Sequence, residues 1–239
     1  MIKNFIAFLC MLITSQMLLA QHGQAPVGQS LQSNSYGETM NALNSRGSWL
    51  PPLGKRNVVD GTPFAFEGSS NKVILYTKKG DAYKVPKGNY DAQRGVFVSS
   101  FTKDSTFVFN NRDIDYALVN NKKMVRLSDA VNSNGKFYLV LAENQSTSIV
   151  KEFQAKIIPG AINPLTQEKT SNDRYYLSED LLIYKGNELD KLKLNKRVIS
   201  NLFSDKEKEI KAYIKEKDLN IKELSDFLKI YSHYNSLKS

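Results

Sequence analysis

The chain has 239 residues, of which 33 are lysine or arginine and 24 are aspartate or glutamate, so its formal net charge at pH 7 is +9. Its one cysteine, Cys10, falls in an N-terminal segment that we expect to be removed. This excludes disulfides, thiolate metal sites and cysteine nucleophiles from the mature chain. The basic residues are dispersed among acidic ones without a dense block, so we expect no nucleic-acid partner.

Residues 1–20 have the pattern of a secretory signal peptide. A single early cation at Lys3 precedes an apolar run at residues 5–13, and Ala20 is a suitable residue before a cleavage site. The apolar run is short for a membrane span and ends at polar residues, which favours cleavage over a retained anchor. We therefore expect a periplasmic or extracellular protein whose mature chain has no transmembrane segment.

Residues 21–57 are predicted to be a flexible leader, because they are rich in Gln, Ser, Asn and Gly and their apolar residues follow no period. The exception is Trp49 with Leu50 and Leu53, where two intervening prolines pre-set an extended backbone. We expect Trp49 and Leu50 to dock on the folded domain. The alternative is that Trp49, Leu50 and Leu53 form a short partner-binding peptide.

Short β-prone segments, cut at close intervals by turn residues, fill residues 72–142. The predicted strands cover residues 72–78, 82–85, 96–101, 105–110, 114–119, 123–127 and 137–142. The gaps between them are too short for crossover helices, so neighbouring strands should pair antiparallel as a meander. Some strands are apolar on both faces, so helices, a returning strand or closure into a barrel should cover the second face.

The β pattern continues past residue 142. A strand is predicted at residues 149–158, and a long polar surface loop follows at residues 161–172. Loops of this length are often functional, and disorder is as common among them. Two apolar runs at residues 174–177 and 181–184 bracket a polar break at residues 178–180, and a last strand is expected within residues 188–194.

From residue 195 the apolar period becomes helical. Val198, Ile199 and Leu202 have helical spacing, Ser204 and Glu207 have the spacing of a capping box, and residues 224–234 carry a broad aromatic stripe. The predicted fold is mainly β (α+β). An antiparallel β-meander, a curled sheet or partly open barrel, spans residues 58–194. Two to three helices at residues 195–239 pack on it.

Several short motifs resemble those of exported proteins from Bacteroidota that have a signal peptide, a β-meander and a short Lys/Glu-rich helical tail. The motifs are Gly-Thr-Pro-Phe at 61–64, Lys-Gly-Asp-Ala-Tyr at 79–83, Asn-Tyr-Asp at 89–91, and the helical segments at 203–206, 213–216 and 234–237. The resemblance covers most of residues 61–237 but not the long leader. It implies a fold and export but no activity, so no functional residue follows from it.

Residue patterns for catalysis are scarce. Apart from the signal peptide, the histidines are His22 and His233, and the sequence has no phosphate loop, dinucleotide fingerprint or His-Glu-x-x-His motif. Asp113 and Asp115 would lie about 7 Å apart on one strand face, which suits general acid/base chemistry. A solvated strand face explains this pair better, so we predict no catalytic residue, metal site or cofactor.

Three functions are compatible with these patterns. The first is a non-catalytic envelope module that binds another envelope protein. The second is a carrier of a small apolar ligand, held in a barrel-like cavity. The third is a hydrolase that acts on envelope glycans through a carboxylate pair. The aromatic residues that would line the carrier's cavity are Tyr83, Phe97, Phe107, Phe109, Tyr116 and Phe137.

Overall fold

The computed structural model describes residues 47–50, 59–68, 71–102, 105–128 and 135–238. The predicted signal peptide at residues 1–20 and most of the predicted leader, including Leu53, lie outside the described residues. The described part is mainly β, with sheets that do not close into a barrel and three helices at the C-terminal end. The predicted fold class is therefore confirmed.

The described strands are numbered in chain order: β1 (Gly47–Leu50), β2 (Val59–Asp60), β3 (Val73–Thr77), β4 (Ala82–Val85), β5 (Gly88–Asp91), β6 (Val96–Thr102), β7 (Ser105–Phe109), β8 (Ile114–Val119), β9 (Lys122–Leu127), β10 (Lys136–Glu143), β11 (Thr147–Ile158), β12 (Asp173–Lys185) and β13 (Glu188–Lys191). The described helices are α1 (Lys196–Leu202), α2 (Glu207–Glu216) and α3 (Leu224–Ser236).

The chain divides these strands between two sheets. The large sheet has the order β13-β12-β11-β10-β9-β8-β3-β4, with β2 paired in parallel beside β12, and the small sheet has the order β1-β7-β6-β5. Strands β8 to β13 form the predicted antiparallel meander, but β5, β6 and β7 leave it, and β3 pairs with β8 instead. The meander is thus interrupted by the small sheet.

Aromatic rings from both sheets meet in a sandwich core. Phe97 of the small sheet and Phe137 of the large sheet are fully or almost fully buried, and their ring centroids lie 4.9 Å apart. Gly88 allows β5 to approach β3, because a Cβ atom there would lie 2.7 Å from a Val73 methyl group. The small sheet therefore covers part of the large sheet's inner face, and Tyr138, Val150 and Leu182 form a separate buried cluster on the opposite face.

The three helices cover another part of that inner face. Ile149 of β11 packs against the helices while Phe153, four residues further along the strand, packs in the sandwich core, so both side chains lie on one face. Phe203, Phe227 and Tyr231 are fully buried at the centre of this helical cluster. One sheet face thus supports two adjoining cores.

Two local predictions are wrong. The polar residues 178–180 do not separate two strands. They pair with residues 152–154 inside one continuous ladder between β11 and β12. Ser204 does not cap α2: it lies in a short 3-10 turn, and α2 begins at Glu207. The Lys206 amide donates to the Phe203 carbonyl at 3.0 Å across this turn, and the Glu207 carboxylate binds Lys211 and the Ser200 hydroxyl instead.

Candidate functional site

Trp49 and Leu50 lie on the small sheet. Their strand, β1, pairs with β7 so that Trp49 is opposite Phe107, with the two rings edge to face at 5.2 Å. Gly47 permits this pairing, because a Cβ atom there would collide with the Phe107 ring and the Val108 carbonyl. The predicted docking is confirmed, and residues 47–50 belong to the β domain rather than to a flexible leader. Trp49 remains 49% exposed.

The six aromatic residues proposed for a carrier's cavity do not share one environment. Phe97, Phe107, Phe109 and Phe137 are at most 3% exposed and contact one another or neighbouring rings in the sandwich core. The other two are Tyr83, which is half-buried beside this core, and Tyr116, which stacks on Tyr76 with centroids 4.3 Å apart. The packing of these rings gives no support to the carrier hypothesis.

Asp113 and Asp115 do not lie on one strand face. Asp113 is in a 3-10 turn, and the pairing of β8 with β3 shifts at a bulge between Ile114 and Tyr116. Ile114 therefore points into the core, while Tyr116 stacks on Tyr76, so the prediction that Asp113 and Asp115 share one strand face is wrong. No group of three or more His, Cys, Asp or Glu residues that could hold a metal ion occurs in the described part of the chain.

The strongest candidate site is the distal half of the hairpin formed by β11 and β12, which we call the hairpin arm (residues 155–177). The β11–β12 ladder continues to the pair Ile158 and Arg174. On the other side of β11, the paired residues of β10 reach only to Lys151. Beyond that point the arm contacts the rest of the described chain through the pairing of β2 with β12, a hydrogen bond from Asn172 Nδ2 to Asp60 Oδ1, and one from the Ala155 amide to the Ala92 carbonyl. The arm therefore extends past the strand pairing between β10 and β11.

Large apolar side chains on the arm are exposed. Ile157 is 40% exposed, Ile162 54%, Leu165 92% and Tyr176 48%, and the other large apolar residue exposed among those described is Trp49. Ile157 and Tyr176 lie on opposite faces of the ladder, because Tyr176 is paired with Lys156, and Ile162 and Leu165 lie in the loop between the strands. Several exposed large apolar residues on one element indicate an interaction site, because single scattered ones are the norm on soluble proteins.

The loop at the end of the arm is held by side-chain hydrogen bonds. The Asp173 carboxylate accepts from the Gly160 amide at 2.9 Å and from Lys169 Nζ at 2.7 Å, and both contacts lower the pKa of that carboxyl. Asn163 Oδ1 accepts from the Leu165 amide at 2.9 Å. The apolar side chains are thus presented on a loop of defined shape.

The net charge of the hairpin arm is close to zero. The arm carries three cations, Lys156, Lys169 and Arg174, against Glu168 and Asp173. Lys169 pairs with Asp173, and Lys156 Nζ lies 5.5 Å from the centre of the Tyr176 ring. The arm therefore combines exposed apolar side chains with a net charge close to zero.

The sequence indicated part of this site. The sequence predicts a long surface loop at residues 161–172, and the two isolated apolar residues in it, Ile162 and Leu165, are the available signal. Ile157 and Tyr176 carried no such signal, because an exposed strand and a half-buried strand can have the same alternation.

Comparison with known proteins adds no constraint. The chain matches no protein-family model, no curated protein and no solved structure. Within the described ranges, no helix has both the length and the apolarity needed to cross a bilayer. Function therefore has to be inferred from the chain's own residues.

Proposed function

We propose that this chain is an exported, non-catalytic interaction module of the cell envelope, and that the hairpin arm binds another envelope protein. The observation that carries the proposal is the concentration of exposed Ile157, Ile162, Leu165 and Tyr176 on one ordered element. The predicted signal peptide at residues 1–20 supports the export.

The arm has the properties of a binding anchor. Burial of a fully exposed leucine side chain contributes about 1.5–3 kcal/mol, so Leu165 alone is a substantial source of affinity. Tyr176 has the amphipathic aromatic side chain that is enriched at interface hot spots. Since Asp173 and Asn163 already order the loop, binding incurs little additional loss of conformational entropy.

Site-specific photo-crosslinking tests this proposal. A photoreactive phenylalanine analogue is placed at Leu165, and separately at Gln145 as a matched control, in cells that produce the protein. Gln145 is exposed in the turn at the opposite end of β11. We expect a discrete cross-linked protein from position 165 and none from position 145.

A second variant shows whether the apolar surface is responsible. Ile162→Asp, combined with the crosslinker at position 165, should abolish the cross-linked product, because a carboxylate would have to be desolvated in the interface. Thermal unfolding should be unchanged, since Ile162 is exposed. Equal products from positions 145 and 165, or a product that Ile162→Asp leaves intact, would refute the assignment to the arm.

A further inference from the structure

A concave surface lies outside the hairpin arm, between α1 and the chain segment that follows β13. It is a half-open cleft of about 440 Å³, within the range of small-molecule sites. Its walls are fixed by backbone contacts: the Leu192 amide donates to the Leu181 carbonyl at 2.8 Å, and Asn195 Oδ1 accepts from the Arg197 amide at 2.9 Å.

The cleft is basic. Lys185, Lys191, Lys193 and Arg197 line it together with a single carboxylate, Asp190. Lys191 Nζ contacts Asp180 Oδ2 at 3.1 Å, whereas Lys185, Lys193 and Arg197 form no ion pair with any residue in the described part of the chain. The lining cations outnumber the one lining carboxylate, so a bound anion would relieve the repulsion among them.

The floor of the cleft is apolar. Ile183 and Leu192 contribute from the sheet side, and Val198 and Leu202 from α1. Val198 is 7% exposed, so the floor is continuous with the helical cluster beneath it. Water covering this floor can be displaced by an apolar group, and the lysine stems can extend over such a group while their ammonium ions stay at the rim.

We propose that this cleft binds an amphiphilic oxyanion. A phosphate or carboxylate head contacts Lys185, Lys193 and Arg197, and a short apolar body lies on the floor formed by Ile183, Leu192, Val198 and Leu202. The Arg197 guanidinium suits such a head, because it can donate two parallel hydrogen bonds to two oxygens of one oxyanion. The head belongs either to a free amphiphile or to a membrane lipid.

Calorimetric titration of the mature chain with octyl phosphate, below its micelle concentration, tests the proposal. Inorganic phosphate probes the head alone, and octyl glucoside probes the apolar body without the charge. We expect one octyl phosphate to bind per chain, with both other probes binding more weakly, because the head and the body each contribute to affinity.

Two variants of equal net charge distinguish the effect of the cleft on binding from the effect of the protein's overall charge. The cleft variant combines Lys185→Gln, Lys193→Gln and Arg197→Gln. The control variant combines Lys79→Gln, Lys84→Gln and Lys215→Gln, all exposed residues outside the cleft. We expect the cleft variant to weaken octyl phosphate binding by about tenfold or more and the control variant to leave it unchanged.

Vesicles of phosphatidylglycerol and phosphatidylcholine in equal parts distinguish the two sources of the head. Vesicle binding that the cleft variant alone loses supports a lipid, and octyl phosphate binding without vesicle binding supports a free amphiphile. Three results would overturn the proposal. These are absence of octyl phosphate binding to the wild-type chain, equal weakening by both variants, and octyl glucoside binding as tight as that of octyl phosphate.

Discussion

The two halves of the β11–β12 hairpin share one continuous ladder but place apolar side chains in opposite environments. In the hairpin base (residues 147–154 and 178–185), Ile149 and Val150 are fully buried and Phe153 is 5% exposed. In the hairpin arm, Ile157 is 40% and Tyr176 48% exposed. One face of the base lies against the small sheet and the helices, Val150 is buried on the other face with Tyr138 and Leu182, and the arm extends past the pairing with β10. Strand formation and burial are therefore separate properties, and only burial makes a strand part of the stable core.

The largest expected effect is on the base. Phe153→Ala should lower the free energy of unfolding by about 3–5 kcal/mol, because it opens a cavity where Phe153 packs near Phe66. Tyr176→Ala, on the arm, should change it by less than about 1 kcal/mol, since that side chain is half-exposed. Urea unfolding of both variants measures the difference, and equal losses would show that the arm is as firmly packed as the base.

The next effect concerns the attachment of α3 to the base. The buried Tyr231 hydroxyl donates to the Thr147 carbonyl at 3.0 Å, and the Asn144 amide donates to the same carbonyl at 2.9 Å. Tyr231→Phe should therefore remove one of two hydrogen bonds to that carbonyl and cost about 0.5–1.5 kcal/mol. Tyr184→Phe is the matched control, because its hydroxyl donates to the exposed Asn187 at 3.0 Å. Unfolding free energies that drop equally in the two variants would contradict this account.

Ionisation of Tyr231 should make the free energy of unfolding depend on pH in the alkaline range. Burial raises the pKa of Tyr231 to about 12, above its ordinary value of 10. Since the folded state favours the protonated phenol, this contribution is fully present below pH 10 and is lost as the pH rises through 12. Burial also raises the pKa of Tyr90, so Tyr231→Phe should reduce, but not remove, the alkaline loss. Urea midpoints measured across this range test the prediction, and identical pH profiles for wild type and variant would refute it.

The smallest expected change in the free energy of unfolding is for a substitution in the hairpin arm. Asp173→Asn should leave the unfolding transition unchanged but speed hydrogen exchange at the Gly160 amide, which donates to the Asp173 carboxylate at 2.9 Å. Glu168→Gln is the control on the same loop, because the Glu168 carboxylate has no partner among the described residues. Faster exchange in both variants, or in neither, would contradict the proposed role of Asp173.

Protonation of Asp173 in acid should weaken the contacts that order the loop of the hairpin arm, as Asp173→Asn does. The pKa of the Asp173 carboxyl is lowered by its contacts with Lys169 and the Gly160 amide, so its contribution to loop order is present above the ordinary value of 3.8. It is lost as the pH falls below that value through the folded-state pKa. Exchange at Gly160, corrected for its intrinsic pH dependence, should therefore rise in acid in the wild type and not in Asp173→Asn.

Strand positions could be predicted where short-range signals agree. The bounds of β4 and β8 match the prediction, because β-branched and aromatic runs there end at turns with positive φ at Gly80 and Asn120. Strand β5 was not predicted, since Gly88–Asp91 lacks a run of strand-forming residues. Asn89 ties it in place through hydrogen bonds between its side-chain amide and both backbone groups of Phe66. That partner is remote in sequence, so no local pattern reveals it.

The candidate sites also depend on contacts between residues remote in sequence, which no local pattern reveals. The loop of the arm was visible as a polar stretch, but the cleft was not, because its cations were dispersed along residues 185–197 among ordinary charged residues. Lys185 and Arg197 line the same cleft only because β13 and α1 fold back beside the end of β12.

The sequence by itself determined the β class, most strand and turn positions, the helical ending and the expectation of export, because backbone propensities and turn residues act over a few neighbouring residues. The tertiary structure alone decided how the strands divide into two sheets, which half of the hairpin is buried, and which cations share a cleft. These depend on which surfaces meet, and burial is a property of contacts between residues far apart in the chain.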